Sequence, residues 1–366
     1  MTILHIASIS NSPFGGVCVV APQHVLSQGR YATVAMLNIS GVVIDVLKGD
    51  YVDGYEKIPV QLPYIGKWSL DSLPSPFCKP DMVVIHELYY IELLRISCDL
   101  RRRGIPYVII PHGELQRLAQ RRHWLKKKVA NWFLFNRMVR GAAAVQFLSP
   151  SELEHSCCTT KGFIGTNGID IPEYYKQQFS TQGTRFLYVG RYDMFCKGLD
   201  ILVEAVAIQA DFLRANGCTV ELHGNDIKGR RAVLMEKVQE CGVGDLIIEG
   251  GPVVGQDKIN TLLHNDVFVQ TSRFEGMPMG LLEAMGYGLP VLITEGTTLG
   301  GFVADHDCGW VAYTESKAVA NALRKAVEQR EEWANKGKRG RVAIGQQFAW
   351  EKVAQAAISE YERIVG

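Results

Sequence analysis

Short runs of apolar residues, rich in valine and isoleucine, alternate along the chain with longer stretches in which apolar positions recur at helical spacing. This alternation is typical of parallel β-sheets whose strands are joined by crossover helices. The predicted strands form two series: residues 3–9, 32–39, 82–86, 107–110 and 144–148, then residues 185–189, 219–223, 246–249, 267–270 and 290–294. The pattern therefore predicts an α/β protein with two separate sheets.

A polar stretch separates the two series of strands. It begins with Thr166-Asn-Gly-Ile-Asp170 and continues over residues 174–183, a composition typical of a connection between domains. Because 366 residues exceed what one hydrophobic core usually holds, we expect two domains, at residues 1–170 and 171–347. After a predicted break at Gly345, residues 348–366 form an amphipathic helix that could close the second domain or cross back to the first.

Charge and cysteine content exclude several classes of protein. A net charge of +1, with 47% hydrophobic and 21% charged residues, predicts a folded globular chain with no general attraction to nucleic acid. The nine cysteines include no Cys-x-x-Cys pair, which argues against a disulfide framework or a zinc site and favours a reducing compartment. The first residues resemble a β-strand more than a signal peptide, and no apolar run approaches the roughly 20 residues of a membrane span. We therefore expect a cytoplasmic protein, at most attached to a membrane surface.

Two carboxylates occupy a turn and the predicted helix that follows it within residues 274–291. Glu275 lies in the glycine- and proline-rich turn, and Glu283 lies inside the helix, so the two can accept hydrogen bonds from different hydroxyls of one polyhydroxylated ligand. Between them, the backbone N–H groups of Met279 and Gly280 lie at the helix N-terminus, where anions such as a diphosphate bind. The alternative is that both glutamates only cap and solvate a surface helix.

Two cations flank a second loop, in Tyr188-Val-Gly-Arg-Tyr-Asp-Met-Phe-Cys-Lys-Gly-Leu-Asp200. This segment predicts a strand, a loop and a helix start, which places Arg191 and Lys197 at the carboxyl edge of the sheet, where doubly wound folds bind ligands. Such a pair of cations can neutralise a diphosphate and stabilise it as a leaving group. The alternative is an ion pair between Arg191 and Asp193 beside a solvated Lys197.

Together these motifs resemble the retaining glycosyltransferases of family 4. The resemblance lies in Gly190-Arg191, in Lys197-Gly198 and in the Glu-Gly-Met-Pro-x-Gly-Leu-Leu-Glu-Ala-Met segment, while residues 166–170 are similar to the family's entry into its second domain. It covers nearly the whole chain and implies the GT-B architecture, with two Rossmann-like, doubly wound domains facing a central cleft. It further implies an acceptor-binding first domain, a nucleotide-sugar-binding second domain and a final helix that packs back on the first.

The same resemblance implies roles for individual residues. Arg191 and Lys197 hold the donor diphosphate, Glu275 binds hydroxyls of the transferred sugar, Glu283 binds the ribose, and the nucleobase lies near Val253. The implied donor-binding set is Gly15, Gly16, Gly190, Arg191, Lys197, Val253, Glu275, Met279, Gly280 and Glu283. Gly15 and Gly16 end a glycine-containing loop after the first strand; this loop lacks Gly-x-Gly-x-x-Gly and so does not support a dinucleotide fingerprint.

Two histidines fall at the ends of predicted strands. His112 directly precedes Gly113 and resembles the family's cleft histidine, which implies contact with the donor sugar near the reacting carbon. A lone histidine is also a common structural residue, and that alternative stays open. His86, in Val83-Val-Ile-His-Glu87, has a similar placement, and we expect it to support the site rather than to touch substrate. The predicted catalytic residues are His112, Glu275, Arg191 and Lys197.

A basic segment in the first domain points to the acceptor. Residues 116–140 contain eight lysines and arginines, no acid, and several aromatic residues, a combination suited to an anionic membrane surface. The predicted membrane or acceptor contacts are Arg121, Arg122, Trp124, Lys126, Lys127, Lys128 and Trp132. The alternative is an ordinary crossover helix with a basic outer face. We expect no nucleic-acid partner, because no binding motif accompanies these charges.

The resemblance implies a retaining hexosyltransferase that moves a sugar from a nucleoside diphosphate donor to a glycan or lipid-linked acceptor. The expected setting is bacterial cell-surface polysaccharide synthesis, including O-antigen, capsule or lipopolysaccharide. Neither of the two motif segments contains an Asp-x-Asp motif, and the cation pair can supply the positive charge, so we expect activity without a metal or other cofactor. The alternatives are an epimerase on the same fold or a non-catalytic protein that binds a nucleotide sugar.

Overall fold

The computed structural model describes residues 1–55, 57–117, 120, 135–157 and 160–366. Over these residues the chain divides into two compact units. The first combines Met1–Gly168 with Trp350–Gly366, and the second is Ile169–Ala349. The division falls close to the boundary expected near residue 170.

The first unit is an α/β unit in which strands and helices alternate. Its elements up to the connection are β1 (Thr2–Ala7), α1 (Gly16–Gln28), β2 (Thr33–Asn38), β3 (Gln61–Leu62), β4 (Met82–His86), α2 (Ile91–Arg102), β5 (Tyr107–Ile110), α3 (Asn136–Gly141), β6 (Ala144–Phe147), α4 (Pro150–Glu154) and β7 (Gly162–Ile164).

The second unit repeats the same alternation. Its elements are β8 (Thr184–Val189), α5 (Leu199–Ile208), α6 (Ala210–Ala215), β9 (Cys218–His223), α7 (Arg230–Glu240), β10 (Ile247–Glu249), α8 (Gly255–His264), β11 (Val267–Gln270), α9 (Met279–Gly286), β12 (Val291–Thr294), α10 (Gly300–Asp305), β13 (Gly309–Ala312), α11 (Ser316–Glu328) and α12 (Trp333–Gln347).

Both sheets are parallel and share one strand order. The first sheet runs β3-β2-β1-β4-β5-β6-β7 and the second β10-β9-β8-β11-β12-β13. In each sheet the chain winds outward in one direction, returns to the middle and then winds outward in the other. The strand order reverses between β1 and β4 in the first sheet and between β8 and β11 in the second. In doubly wound sheets, ligands bind at the carboxyl ends of the strands that flank this reversal.

The central strands are buried along their whole length. All residues of β4, β5, β11 and β12 are buried, as expected where helices cover both faces of a parallel sheet. The strands predicted from the hydrophobic pattern occur where expected. Three further strands, β3, β7 and β13, were not predicted; each lies at the edge of its sheet, and each is only two to four residues long.

The C-terminal helix, α13 (Trp350–Val365), belongs to the first unit. It packs on α1, and its Tyr361 hydroxyl donates a hydrogen bond to Gln146 Oε1 at 2.7 Å. The break predicted at Gly345 is wrong, because α12 continues through this glycine to Gln347. The chain turns at Phe348, whose carbonyl accepts a hydrogen bond of 2.8 Å from the Ile169 N–H.

Candidate functional site

The point of reversal in the second sheet brings the two sequence motifs together. The loop after β8 carries Arg191 and Lys197, and the turn after β11 carries Glu275. The Lys197 ammonium lies 2.5 Å from Glu275 Oε1, with the two side chains only 18% and 11% exposed. A cation and a carboxylate are therefore held side by side at the edge where this fold binds ligands.

One oxygen of Glu275 accepts hydrogen bonds from three side chains. Besides Lys197, the Ser272 hydroxyl donates to Oε1 at 2.6 Å and the Gln270 amide donates to it at 2.7 Å. Gln270 ends β11 and Ser272 follows it, so the strand itself orients the carboxylate. Glu275 is thus not a solvated helix-capping residue, and its side chain is held in one orientation.

Gly198 allows the backbone of Lys197 to lie directly against the end of β11. Its φ is +61°, in the left-handed region, and a Cβ at this position would lie 1.9 Å from the Thr271 carbonyl oxygen. The Thr271 hydroxyl donates a hydrogen bond of 2.8 Å to the Gly198 carbonyl. The Lys-Gly pair therefore has a structural reason, because only glycine fits where the lysine is anchored.

Arg273 fastens the same loop from its other side. Its guanidinium makes a two-pronged ion pair with Asp200 at 2.7 Å for each contact, and it donates to the Phe195 carbonyl at 3.0 Å. The charged plane also lies over the Phe195 ring. Planar two-pronged contacts of this type restrict orientation strongly, so the loop around Lys197 is held by the segment that follows strand β11.

Arg191 is exposed, while the tyrosine before it is buried. The Tyr188 hydroxyl donates to the Arg191 carbonyl at 2.9 Å. Burial, together with the negative charge of Glu275, raises the pKa of Tyr188 well above its usual value, and the charge of Arg191 opposes this shift. Asp193, the alternative partner proposed for Arg191, forms an ion pair with Arg230 at 2.5 Å.

Helix α9 begins at Met279, as the sequence predicted. The Pro278 carbonyl accepts hydrogen bonds from Leu281 and Leu282, so the N–H groups of Met279 and Gly280 precede the helical bonding pattern. Inside the helix, Glu283 forms an ion pair with Lys258 of α8. The helix N-terminus and both predicted carboxylates therefore lie along one turn and helix, with a lysine beside each carboxylate.

A cavity of about 460 Å³ lies beside the ends of β9 and β10. Its walls include Asp226, Arg231, Glu249 and Gly251. Arg231 pairs with Glu249 at 2.5 Å. Burial would raise the pKa of Glu249, but hydrogen bonds from Tyr192 and Arg231 outweigh it and lower that pKa. Pro252 also lines the cavity, and Val253, the predicted marker of the nucleobase position, follows it directly.

An Asp-x-Asp pattern lies away from the predicted motifs, at Asp305-His306-Asp307, where helix α10 ends. Its second carboxylate forms ion pairs with Lys336 and, at 2.7 Å, with Arg339. These cations hold the pKa of Asp307 below its usual value. The Asp307 carboxylate is therefore engaged with α12.

In the first unit, the glycine loop leads into helix α1. The helix starts at Gly16, with Gly15 as the preceding cap residue and no side-chain capping bond. Its first turn contains no acid, which leaves the positive end of the helix dipole without a charged partner on the helix itself. The loop follows β1, one of the two strands that flank the reversal of the first sheet.

His112 and His86 are part of a row of buried polar side chains. His86 Nδ1 lies 3.0 Å from His112 Nε2, and His86 Nε2 lies 3.0 Å from His5 Nδ1. His5 Nε2 in turn lies 3.0 Å from Gln28 Oε1. His112 follows β5 and keeps part of its surface exposed, while the other three residues are fully buried.

The loop that carries His112 has an unusual backbone held by a buried acid. His112 has a φ of +47°, and Glu87, at the end of the neighbouring strand, has a φ of +67°. Glu152 accepts hydrogen bonds from the Gly113 N–H at 2.6 Å and from the Leu148 N–H at 2.7 Å. Left-handed backbone at non-glycine residues costs energy and persists where surrounding contacts enforce it, as Glu152 does here.

Burial keeps the histidines of this region uncharged. It lowers the pKa of His5 and of His112 to about 3, and that of His86 well below its usual value. His24, which bonds to Asn167 at 3.0 Å and packs edge-on against Trp350, has its pKa lowered to about 4 by burial. Burial acts in the opposite direction on Glu87 and raises its pKa to about 7. The histidines of this region are therefore neutral.

The predicted membrane or acceptor contacts lie outside the described residues: Arg121, Arg122, Trp124, Lys126, Lys127, Lys128 and Trp132. Their assignment stays a prediction from the sequence. Among the helices that the structure describes, none combines the length and the apolar character needed to cross a membrane.

Several residues of the two regions were missed by sequence reasoning. Arg273 and Asp200 lie in or next to the quoted motifs, yet their pairing joins two distant loops and has no local signal. Lys258, the partner of Glu283, is an ordinary basic residue of a surface helix by sequence. His5 and Gln28 lie on a strand and a helix whose sequences resemble ordinary core elements. Only the order of the strands in the sheet brings them close to His86.

The comparison with known proteins now places these features in a family. Residues 171–342, nearly the whole second unit, match the model of the family Glycosyl transferases group 1. Among curated relatives, the chain is 22% identical to an MMP alpha-(1->4)-mannosyltransferase from Mycolicibacterium hassiacum, over 78% of this chain and 71% of that protein. It is also 22% identical to a GDP-mannose:cellobiosyl-diphosphopolyprenol alpha-mannosyltransferase from Xanthomonas oryzae, over 100% of this chain and 98% of the relative.

Solved structures show the same fold. A sucrose-phosphate synthase from Thermosynechococcus elongatus superposes with a TM-score of 0.71 at 18% identity, over 100% of this chain and 99% of that one. HepE from Anabaena, in complex with UDP and glucose, superposes with a TM-score of 0.70 at 18% identity, over 99% of both chains. The predicted fold class is confirmed: the protein is α/β, with the two Rossmann-like parallel sheets of the GT-B fold. The family resemblance is confirmed for residues 171–342, which match Glycosyl transferases group 1.

Proposed function

We propose that the protein is a retaining glycosyltransferase that moves a sugar from a nucleoside diphosphate sugar to a hydroxyl of a glycan or lipid-linked acceptor. The observation that carries the proposal is the cluster at the reversal of the second sheet. There Lys197 and Glu275 lie side by side, and helix α9, with its free N-terminal N–H groups, begins a few residues after Glu275 in the chain. A carboxylate for sugar hydroxyls and positive charge for phosphate thus occur at one sheet edge.

The proposed reaction places its developing charge on the donor phosphate. The bond between the anomeric carbon and the phosphate oxygen breaks, and the acceptor oxygen bonds to that carbon from the same face. The acceptor proton passes to the departing phosphate oxygen. Lys197, Arg191 and the N–H groups of Met279 and Gly280 would stabilise the negative charge of the leaving group, which is the interaction that lowers the barrier.

The cations also underlie the proposal that no metal is required. Lys197 is held by Glu275 before any donor arrives, so its charge needs little reorganisation during the reaction. In our proposal this lysine and Arg191 perform the charge neutralisation for which other transferases use a divalent cation. Glu275 binds hydroxyls of the sugar, Glu283 binds the ribose, and His112 is the catalytic histidine of the first unit.

The sugar and the base are the finer part of the proposal. One relative carries GDP-mannose in its name, and HepE was solved with UDP and glucose. The cavity beside Gly251 offers polar groups from Asp226, Arg231 and Glu249 that could distinguish bases. Both purine and pyrimidine nucleotides therefore belong in the test, with mannose and glucose donors first.

The acceptor and the location follow from the relative's diphosphopolyprenol and from the basic segment at residues 116–140. We place the protein on the cytoplasmic face of a membrane, where it extends a lipid-linked glycan of a cell-surface polysaccharide. Co-sedimentation with vesicles that contain anionic lipid tests this placement. Binding that is unaffected when Lys126, Lys127 and Lys128 are all replaced by alanine would remove the basic segment from the proposal.

The first experiment measures binding and turnover of nucleoside diphosphate sugars by the full chain, with and without EDTA. We expect one donor to bind and to be consumed in the presence of acceptor, equally well with EDTA. Lys197→Ala should lower turnover about 10³-fold, and Lys338→Ala, which removes an exposed lysine of α12, should leave it unchanged. A changed sugar without acceptor would indicate an epimerase, and binding without turnover would indicate a non-catalytic protein.

A further inference from the structure

We infer that His86 and His5 are positioning residues that hold His112 in a single tautomer, with its Nδ1 left as a hydrogen-bond acceptor for a ligand hydroxyl. The inference rests on the proposed function only where it links this tautomer to catalysis. The observation behind it is the uninterrupted row of contacts from Gln28 through His5 and His86 to His112, each 3.0 Å long.

The row crosses the middle of the first sheet. His5 lies on β1, His86 ends β4 and His112 follows β5, and these three strands are neighbours in the sheet. The rings of His5 and His86 and those of His86 and His112 stack with centroids 5.3 Å apart. Strand order and register therefore bring the three rings together.

Each neutral imidazole has one nitrogen that donates and one that accepts. The Gln28 amide oxygen can only accept, so His5 must donate from Nε2 and accept at Nδ1. His86 must then donate from Nε2 to His5 and accept at Nδ1. His112 therefore donates from Nε2 to His86, and its Nδ1 carries a lone pair. One amide at the far end of the row thus determines the tautomer at the exposed end.

The orientation of that amide is given by its contact with His5. The Gln28 oxygen lies 3.0 Å from His5 Nε2, while the Gln28 amide nitrogen is buried and has no hydrogen-bond partner among the described residues. The Tyr361 hydroxyl of the C-terminal helix donates its own proton to Gln146 Oε1. A reversed amide would reverse every bond in the row.

The arrangement suits a residue that receives a sugar hydroxyl. Nε2 of His112 is committed to His86, and across the described part of the chain Nδ1 has no hydrogen-bond partner. Because the imidazole is neutral, Nδ1 can accept a hydrogen bond but cannot donate one. A ligand hydroxyl at this nitrogen must therefore point its proton toward the ring, which fixes the direction of its lone pairs. The row would thereby orient substrate without touching it.

The test combines a spectroscopic measurement with kinetics on the full chain labelled with ¹⁵N-histidine. Long-range proton–nitrogen spectra should show His112 with a protonated Nε2 and a bare Nδ1, assigned by the loss of one signal in His112→Gln. His5→Phe cuts the row, so His112 should show mixed tautomers and kcat should fall about tenfold with the donor KM little changed. His5→Gln can accept from His86 and donate to Gln28, and it should restore most of kcat.

His24→Gln is the matched control, since His24 lies beside the row and bonds to Asn167 instead. It should leave the His112 spectrum unchanged. A wild-type His112 that is protonated at Nδ1 overturns the inference, as does a His5→Phe protein with an unchanged His112 spectrum. If His5→Phe does not fold, the wild-type tautomer and the His5→Gln protein still decide. Absence of sugar transfer by the wild type would end the proposed function, whereas the tautomer is read independently of turnover.

Discussion

The two sheet edges use opposite electrostatics for the same fold position. In the second unit, Lys197 and Glu275 form an ion pair at a partly exposed edge, and the carboxylate also accepts hydrogen bonds from the neutral side chains of Gln270, at the end of β11, and Ser272, just after it. In the first unit, His5, His86 and His112 are neutral and mostly buried. The comparison shows that strand order determines where the residues of a site come together. Burial then determines how they can act on a ligand: through charge at the exposed edge, or through the direction of hydrogen bonds between neutral groups at the buried one.

The largest effect is expected from removing the charge of Lys197. Lys197→Ala should lower kcat/KM for sugar transfer about 10³-fold, or about 4 kcal/mol, because a preorganised donor to the leaving group is lost. Lys197→Arg keeps the charge but not the compact geometry, and it should recover part of the rate. Steady-state kinetics with saturating acceptor measures both. A loss below tenfold in Lys197→Ala would mean that this charge is not part of the catalytic centre.

The next effect concerns the backbone that anchors this lysine. Gly198→Ala should lower the free energy of unfolding by about 3 kcal/mol, since a methyl group would meet the Thr271 carbonyl at 1.9 Å and φ is +61°. Gly229→Ala is the matched control, because its φ is +70° but no atom lies within 4 Å of the new Cβ. It should cost only about 1 kcal/mol, the conformational term alone. Equal losses in denaturant unfolding would show that contact with Thr271 is unimportant.

The sequence predicted more of the candidate site residues in the second unit than in the first, and the reason is physical. Glu275, Glu283, Arg191 and Lys197 occur in short segments where turn, helix start and charge are local properties. The central strands were likewise predicted, because their continuous burial gives a strong apolar pattern. The row from Gln28 to His112 combines residues from four separate elements, and its bonds depend on strand order and register, which leave no mark in local composition. The edge strands β3, β7 and β13 were missed because they are short and only partly buried.

A smaller effect is expected in the pH dependence of the free energy of unfolding, to which the buried histidines of the first unit contribute. The pKa of His24 is about 4 in the folded protein against 6.5 as its ordinary value, so between these values the unfolded chain binds more protons and stability falls as the pH falls. His24→Gln should therefore reduce the stability lost between pH 7.5 and 5.5 by about 1 kcal/mol. Urea unfolding at the two pH values measures the difference. An unchanged loss would mean that His24 is protonated in the folded state.

Glu87 should change the pH dependence of stability in the opposite direction to His24, and the same urea experiment measures it. Its folded pKa of about 7 lies above the ordinary 4.5, so it contributes stability that is present at low pH and lost as the pH rises through about 7. Removing this contribution in Glu87→Gln should make the loss of stability between pH 7.5 and 5.5 larger than in the wild type. The loss of stability between pH 7.5 and 5.5 should therefore be smaller than in the wild type for His24→Gln and larger for Glu87→Gln. A change in the same direction for both variants would contradict the pKa shifts assigned to these two residues.

The smallest effect tests how the carboxylate of the charged site is oriented. Ser272 donates one of three hydrogen bonds to Glu275 Oε1, at 2.6 Å, and carries no charge. Ser272→Ala leaves Lys197 and Gln270 in place, so it should raise the donor KM only about threefold to tenfold, the equivalent of one hydrogen bond of about 1 kcal/mol. Double-mutant kinetics with Gln270→Ala should show coupling between the two donors, because both restrain the same oxygen. Strict additivity would mean that Ser272 and Gln270 act on Glu275 independently, and it would contradict a shared restraint on one carboxylate oxygen.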